Sequence, residues 1–136
     1  MTTLRFGTDG WRGIMGQDFT PENVERMTRA MSNALLSHPR ADNGIAIGYD
    51  TRRDSGRFAY QAATLLEQLG WTVYLSTECC PTPAVSLAVV QRALAAGIVI
   101  TASHNPPEFN GFKVKGDFGG PAPAALLKKI EAELDL

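Results

Sequence analysis

The sequence lacks several features that would assign a protein to a class at once. Its 136 residues include only two cysteines, Cys79 and Cys80. An adjacent pair is neither a disulfide framework nor a Cys-x-x-Cys metal or redox motif, and we interpret it as structural. No apolar run approaches the roughly 20 residues of a membrane span, and the first residues lack the apolar core of a signal peptide. The sequence therefore predicts a cytoplasmic protein without a membrane partner.

The chain also lacks an excess of charge of either sign. The 13 basic and 14 acidic residues leave a net charge of −1, which creates no broad field to attract nucleic acid. We therefore predict no nucleic-acid partner, and any anion site must be built locally. The chain also has no GxxxxGK[ST] stretch of a P-loop kinase and no GxSxG elbow of a serine hydrolase, which disfavours both classes.

What the chain does contain is a segment, residues 97–115, in which an apolar strand leads directly into reactive side chains. Residues 97–100 are apolar and mostly β-branched, as in a strand buried on both faces. Two prolines beyond Ser103 prevent a helix from starting there. Residues 112–115 then alternate apolar with basic, which predicts a strand. The connection is too short for a parallel crossover, so Lys113 should fold back towards Ser103.

A serine beside an imidazole and near a lysine has three interpretations. Ser103, next to His104, could be a nucleophile or part of an anion-binding loop. It could also belong to an ordinary polar turn, since serine, asparagine and proline are common turn residues. The residues alone leave these alternatives open.

Strands alternate with helices in the rest of the chain, and 44% hydrophobic residues are enough for the core of one domain. The pattern predicts a three-layer α/β/α sandwich with a four-stranded mixed sheet, its last strand antiparallel. In such sheets ligands bind beyond the carboxyl ends of the strands. The loops at 50–54, 76–81 and 101–110 should leave from that edge, which brings Arg52 and Ser103 together.

Two arginines are candidate anion ligands. Residues 4–16 carry a glycine at every third position from Gly7 to Gly13, so this segment could bring backbone amides and the Arg12 guanidinium to a phosphate. Alternatively, Arg12 pairs with Asp9. Arg52 likewise could face the phosphate or pair with a neighbouring aspartate, Asp50 or Asp54.

Three segments resemble, in the same order, those of the α-D-phosphohexomutases, the phosphoglucomutase and phosphomannomutase family. Residues 101–106, TASHNP, followed by 110–113, NGFK, are similar to the phosphoserine loop of that family. Residues 6–13, FGTDGWRG, and 48–52, GYDTR, resemble two of its earlier segments. The resemblance covers the whole chain and implies that residues 1–136 are the first, phosphoserine-bearing domain, with the later domains absent.

The resemblance implies an intramolecular phosphotransferase. Ser103 would carry a phosphoryl group and interconvert hexose 1-phosphate and hexose 6-phosphate through a bisphosphorylated sugar. Lys113 would be the acid/base, because a lysine close to other cations loses its proton more readily. His104 would orient the substrate or share that task.

The remaining implied contacts are to phosphate and metal. Thr8, Arg12, Asn105 and Arg52 are the expected phosphate or substrate ligands. A phosphoryl oxygen on Ser103 would bind Mg²⁺, whose other ligands are expected in a later domain.

The expected partners are therefore a hexose phosphate, a hexose bisphosphate and the later domains of the same chain. We expect little turnover by the isolated domain. The alternative is a stand-alone phosphate-binding or interaction module without catalysis.

Overall fold

A five-stranded mixed sheet runs through the structure, a computed structural model that describes residues 3–7 and 10–135. The strands lie in the order β1-β5-β4-β2-β3. β2, β3 and β4 are parallel, β5 is antiparallel to β4, and β1 is antiparallel to β5. Their bounds are β1 Gly10–Ile14, β2 Ile45–Tyr49, β3 Val73–Leu75, β4 Ala96–Ile100 and β5 Phe109–Lys115.

The predicted number of four strands was wrong, although the mixed sheet with an antiparallel β5 is as predicted. The additional strand is β1, in the glycine-spaced segment that was not predicted to be a strand. Glycine is uncommon inside strands because it has no side chain to pack, so a glycine-rich segment does not predict a strand. Here the partner strand β5 holds both glycines of β1 in the sheet, with Gly10 opposite Lys113 and Gly13 opposite Asn110. β5 also begins at Phe109, before the alternating residues that predicted it.

Helices cover both faces of the sheet, which gives the predicted α/β/α layers. Ile45 and Ile47 of β2 pack into the larger core with the first, second and last helices, whereas Ala46 packs with the third helix on the other face. This division follows from the alternation of side chains along a strand. The helices are α1 Pro21–Leu35, α2 Ser55–Gln68, α3 Thr82–Gln91 and α4 Ala124–Leu134.

Two of the helices begin in different ways. Thr20 caps α1, because its hydroxyl accepts a hydrogen bond from the Asn23 amide at 3.2 Å. Asp54 occupies the N-cap position of α2, but its side chain makes no cap bond and its φ is +68°. Its carboxylate lies near the guanidinium groups of Arg53 and Arg57 instead.

The parallel strands end at one edge of the sheet, here called the carboxyl edge. The Asp50 amide donates to the carbonyl of Ile100 at 3.1 Å, so the residues that follow β2 and β4 are adjacent. The Thr101 amide donates to the carbonyl of Gly111 at 3.0 Å, which attaches β5 at the same place. The loops that follow β2, β3 and β4 therefore leave from this edge, as predicted. Within the described residues, no helix is both long and apolar enough to span a membrane.

Candidate active site

Ser103 lies at an exposed position in the loop formed by residues 101–108, between β4 and β5. Its φ is +54°, in the left-handed region that non-glycine residues seldom adopt. The Ser103 amide donates to the Thr101 hydroxyl at 3.0 Å, and the Asn105 amide donates to the Ala102 carbonyl at 3.0 Å. A strained backbone conformation of this kind persists only where its surroundings hold it, and such residues cluster at functional sites.

Arg52 lies beneath this loop, with its side chain 12% exposed. Its Nη1 donates to the carbonyls of Pro106, at 2.7 Å, and Phe109, at 3.3 Å. Its Nη2 donates to the carbonyls of Ser103, at 2.8 Å, and Asn105, at 2.7 Å. Its Nε donates to Asp50, so all five N–H donors of the guanidinium are used.

The carboxylate of Asp50 joins the strand ends. Its Oδ2 accepts from Arg52 Nε at 3.2 Å and from the Thr101 hydroxyl at 2.6 Å. Its Oδ1 accepts from the Arg52 amide at 2.9 Å and from the Ser55 hydroxyl at 2.7 Å. Ser55 in turn accepts from Asn110 Nδ2 at 3.0 Å. One carboxylate therefore links β2, β4, β5 and the start of α2.

Arg12 approaches the loop from β1. Its Nη1 donates to Asn105 Oδ1 at 2.8 Å, which places two of the predicted phosphate ligands in contact. The residue is exposed, and its strand partner is Gly111. A Cβ at Gly111 would overlap the carbonyl oxygen of Thr101 and lie 3.1 Å from Arg12 Cγ. Glycine at this position therefore lets β1 and its arginine come close to the Ser103 loop.

Lys113 lies further along β5, with only 9% of its surface exposed. It pairs with Val99 of β4 on one side and Gly10 of β1 on the other. A Cβ at Gly10 would lie 3.1 Å from Lys113 Cγ, so the absence of that atom makes room for the lysine chain. Because residues at alternate positions share a face, Lys113 projects from the same face as Arg12. Lys113 is therefore not a solvated lysine on an exposed strand face.

The structure thus brings four of the predicted site residues to one loop and its neighbouring strand: Ser103, Asn105, Arg52 and Arg12. The side chain of His104 is exposed at the tip of that loop. Thr8, together with Asp9, lies outside the described residues.

The loop carbonyls and Asp50 use the donors of Arg52. The alternative in which it pairs with Asp50 is the one observed.

The described residues do not form a magnesium site by themselves. Among residues 3–7 and 10–135, no three His, Cys, Asp or Glu side chains lie together as metal ligands would. The carboxylate that anchors the loop network, Asp50, already accepts hydrogen bonds on both oxygens.

Sequence reasoning missed three further members of the hydrogen-bond network around the loop: Thr101, Ser55 and Asn110. Their position in the sequence could have indicated part of this network. Asp50 and Thr101 each follow directly after a buried strand, and the ends of parallel strands meet at one edge of the sheet. Which acceptor each side chain binds depends on tertiary contacts and could not be predicted.

The layers, the sheet order and the exposed serine on a supported loop define an α/β domain with a candidate group-transfer site. The sequence profile described as phosphoglucomutase/phosphomannomutase, alpha/beta/alpha domain I, matches residues 3–135. The chain therefore belongs to the phosphoglucomutase/phosphomannomutase family and corresponds to its domain I.

Individual relatives agree with this assignment. A phosphoglucomutase of Staphylococcus epidermidis is 40% identical over 124 residues, which are 87% of this chain and 22% of that protein. A phosphoglucosamine mutase of Levilactobacillus brevis is 36% identical over 133 residues, or 96% of this chain and 29% of that protein. The chain thus spans about a quarter of the length of these relatives.

Solved structures show the same fold. The crystal structure of a candidate phosphomannomutase from Thermus thermophilus superposes with a TM-score of 0.92 at 36% identity, covering 98% of this chain and 30% of that one. The phosphoglucomutase parafusin of Paramecium superposes with a TM-score of 0.83 over 98% of this chain and 26% of that one. Its identity of 22% supports the fold alone.

Proposed function

We propose that this chain is the phosphoserine-bearing domain of a longer phosphohexomutase, in which Ser103 carries a phosphoryl group between two positions of a hexose. The observation that carries the proposal is the placement of Ser103. Ser103 is exposed, and its strained backbone is held by a hydrogen bond from Arg52. Arg12 contacts the same loop through Asn105. Phosphoryl transfer depends mainly on positioning and charge neutralisation, and this arrangement suits both.

The proposed reaction has two transfers. First, the bond between Ser103 Oγ and phosphorus breaks while the C6 hydroxyl of a hexose 1-phosphate bonds to phosphorus. Lys113 takes the hydroxyl proton and passes it to the departing Ser103 Oγ. The bisphosphorylated sugar then turns round in the site, and Ser103 Oγ takes the phosphoryl group from C1 while its proton goes to Lys113. Lys113 passes that proton to the C1 oxygen, which leaves hexose 6-phosphate and restores phosphoserine.

The charges of the residues support this assignment. A phosphoserine carries about −1.5 to −2 charges at pH 7, and a guanidinium can grip such a group through two hydrogen bonds. Arg12 is the proposed grip, with Asn105 and Thr8 as further contacts and His104 orienting the sugar. When bound, Mg²⁺ would neutralise phosphoryl charge. We propose that its protein ligands belong to another part of the mutase, because the described residues do not supply them.

The test is a Ser103→Ala variant of the full-length mutase, assayed with glucose, mannose and glucosamine 1-phosphates. We expect loss of turnover and loss of the phosphopeptide that contains residue 103 in mass spectrometry. Ser76→Ala is the matched control, because Ser76 lies on another loop of the carboxyl edge and donates within that loop, to Glu78. Full turnover by Ser103→Ala, or phosphate on another residue while Ser103 stays bare, would contradict the proposal.

A separate assay tests the proposed incompleteness of the domain. Purified residues 1–136 should isomerise none of the three sugar phosphates at an appreciable rate, because we propose that the sugar and its distal phosphate bind to later domains. Rapid isomerisation by this chain alone would show that the site is complete.

A further inference from the structure

We infer that Arg52 is a positioning residue: with Asp50 and Thr101 it holds the Ser103 loop in the shape that presents the serine hydroxyl, and it does not bind phosphate. The inference rests on the proposed role of Ser103 as phosphoryl carrier. It assigns a task to Arg52, a predicted phosphate ligand whose donors the loop carbonyls and Asp50 use.

The first step is the use of the donors. Four of the five hydrogen bonds from the Arg52 guanidinium go to carbonyl oxygens of residues 103–109, and the fifth goes to Asp50. To contact a phosphate, Arg52 would have to release carbonyl oxygens that it now satisfies, among them those of Ser103 and Asn105. Release would also break hydrogen bonds to a charged donor, which are stronger than bonds between neutral groups.

The second step is the way in which the peptide of Ser103 is held. Its N–H donates to the Thr101 hydroxyl, and its C=O accepts from Arg52 Nη2. The Thr101 hydroxyl and Arg52 Nε both donate to the same oxygen, Oδ2 of Asp50. Ser103 is thus fixed from both sides through one carboxylate, which explains how a non-glycine residue keeps a φ of +54°.

The third step concerns the direction of the carbonyl dipoles. The carbonyl oxygens of Ser103, Asn105 and Pro106 converge on a largely buried cation, so their negative ends face inward. A phosphoryl group on the exposed hydroxyl would therefore not be repelled by these oxygens. Preorganised dipoles of this kind act without reorganisation during the reaction.

Arg53 provides the internal comparison. It is the neighbouring residue, yet its side chain is 83% exposed and its Nε lies 3.8 Å from the Asp54 carboxylate. Arg52→Lys and Arg53→Lys both keep the charge and remove the planar fork, so they form a matched pair. A lysine at position 52 would have three donors at a single point and could not hold four separated carbonyls.

The experiment compares these two variants in the full-length mutase, with the hexose 1-phosphate that the wild-type protein turns over fastest. We expect Arg52→Lys to lower kcat by about 10- to 100-fold, since displacing a reacting group by about 1 Å has effects of that size. KM should change little, and Arg53→Lys should match the wild type. An Arg52 that binds the phosphate of the sugar would instead raise KM, and one that binds the phosphoryl group on Ser103 would lower kcat without a matching loss in Thr101→Val. Either result, or an Arg52→Lys variant with wild-type kcat and KM, would overturn the inference.

A second pair keeps the inference testable if Arg52→Lys does not fold. Thr101→Val removes the hydroxyl that links Ser103 to Asp50, and Thr101→Ser retains it. We expect Thr101→Val to lower kcat, per folded molecule, in the same direction, and Thr101→Ser to restore it. If Thr101→Val lowers only the folded fraction and leaves kcat per folded molecule at the wild-type value, the Thr101 hydroxyl stabilises the fold without positioning Ser103. That result would argue against the inference.

Failure of this inference can be told apart from failure of the proposed function. If Ser103→Ala keeps its turnover, the carrier role fails. If Ser103→Ala is inactive while Arg52→Lys and Thr101→Val behave as the wild type, only the positioning role fails.

Discussion

Two loops at the carboxyl edge of the sheet, one after β4 and one after β3, are held in different ways. The loop of residues 101–108 is held along its length by side chains from β1 and from the end of β2, chiefly Arg12 and Arg52. The loop of residues 76–81 is tied mainly at its two ends, where the amides of Ser76 and Cys80 donate to carbonyls of β2. Residues 77–79 between them are exposed or nearly so.

The difference separates two contributions that are easily confused. The topology of a parallel sheet brings loops to one edge whatever their sequence. The shape of a loop then depends on donors and acceptors from outside it, since a short irregular segment cannot satisfy its own polar groups. Only the loop with such support holds a non-glycine residue, Ser103, at positive φ among the residues described for these two loops.

The largest expected effect follows from removing the carboxylate at the centre of this support. Asp50→Ala deletes the acceptor of four hydrogen bonds and leaves Arg52 without its ion pair. We expect the free energy of unfolding of this chain to fall by about 3 kcal/mol, measured by urea denaturation.

Asp50→Asn is the matched control for that substitution. It keeps one acceptor oxygen and the volume of the side chain but removes the charge, so its effect should be smaller and in the same direction. Equal stability of Asp50→Ala and the wild type would mean that the carboxylate network does not hold the loop.

A smaller effect is expected where two backbone segments approach closely. Gly111→Ala places a Cβ against the Thr101 carbonyl and near Arg12, so either β1 or the start of the loop must move. We expect a loss of about 2 kcal/mol, the usual range for overpacking, visible as a lower midpoint of thermal unfolding.

Gly7→Ala is suited as the control because a Cβ there would meet its nearest neighbour at an ordinary 3.5 Å. It should leave the midpoint almost unchanged. A Gly111→Ala protein as stable as Gly7→Ala would show that β1 can be displaced from the loop at no cost.

The smallest effect is expected in the other loop. Ser76→Ala removes the hydroxyl that donates to the Glu78 carbonyl at 2.5 Å. Because this carbonyl is exposed to water, we expect a loss of no more than about 0.5 kcal/mol in the same denaturation assay. A loss as large as that of Asp50→Ala would remove the distinction between the two loops.

The layers and the carboxyl edge were predictable because they follow from patterns within short stretches. Apolar runs such as Ile45–Tyr49 predict buried strands, and the Thr20-Pro21 pair predicts a helix start. The family was predictable from segments that resemble those of known mutases, and the profile match over residues 3–135 confirms it. Ser103 was identified by the same resemblance, and its catalytic role stays a proposal.

The fifth strand and the task of Arg52 were not predictable in this way. β1 is a strand because β5 lies beside it, whereas its own glycines argue against a strand. The sequence allowed Arg52 to contact either a phosphate or Asp50, and local pattern could not choose between them. The choice depends on the carbonyls of residues 103–109, which lie more than fifty positions along the chain.

The sequence by itself determined which segments are strands of the parallel core, where α1 begins, and which family the chain resembles. These properties depend on side-chain periodicity and on short motifs, and both are local. Only the tertiary structure decided that Arg12 meets Asn105 and that one aspartate and one arginine support the loop of Ser103. Such contacts join residues far apart in the chain, and their hydrogen bonds depend on distances that exist only once the strands have paired.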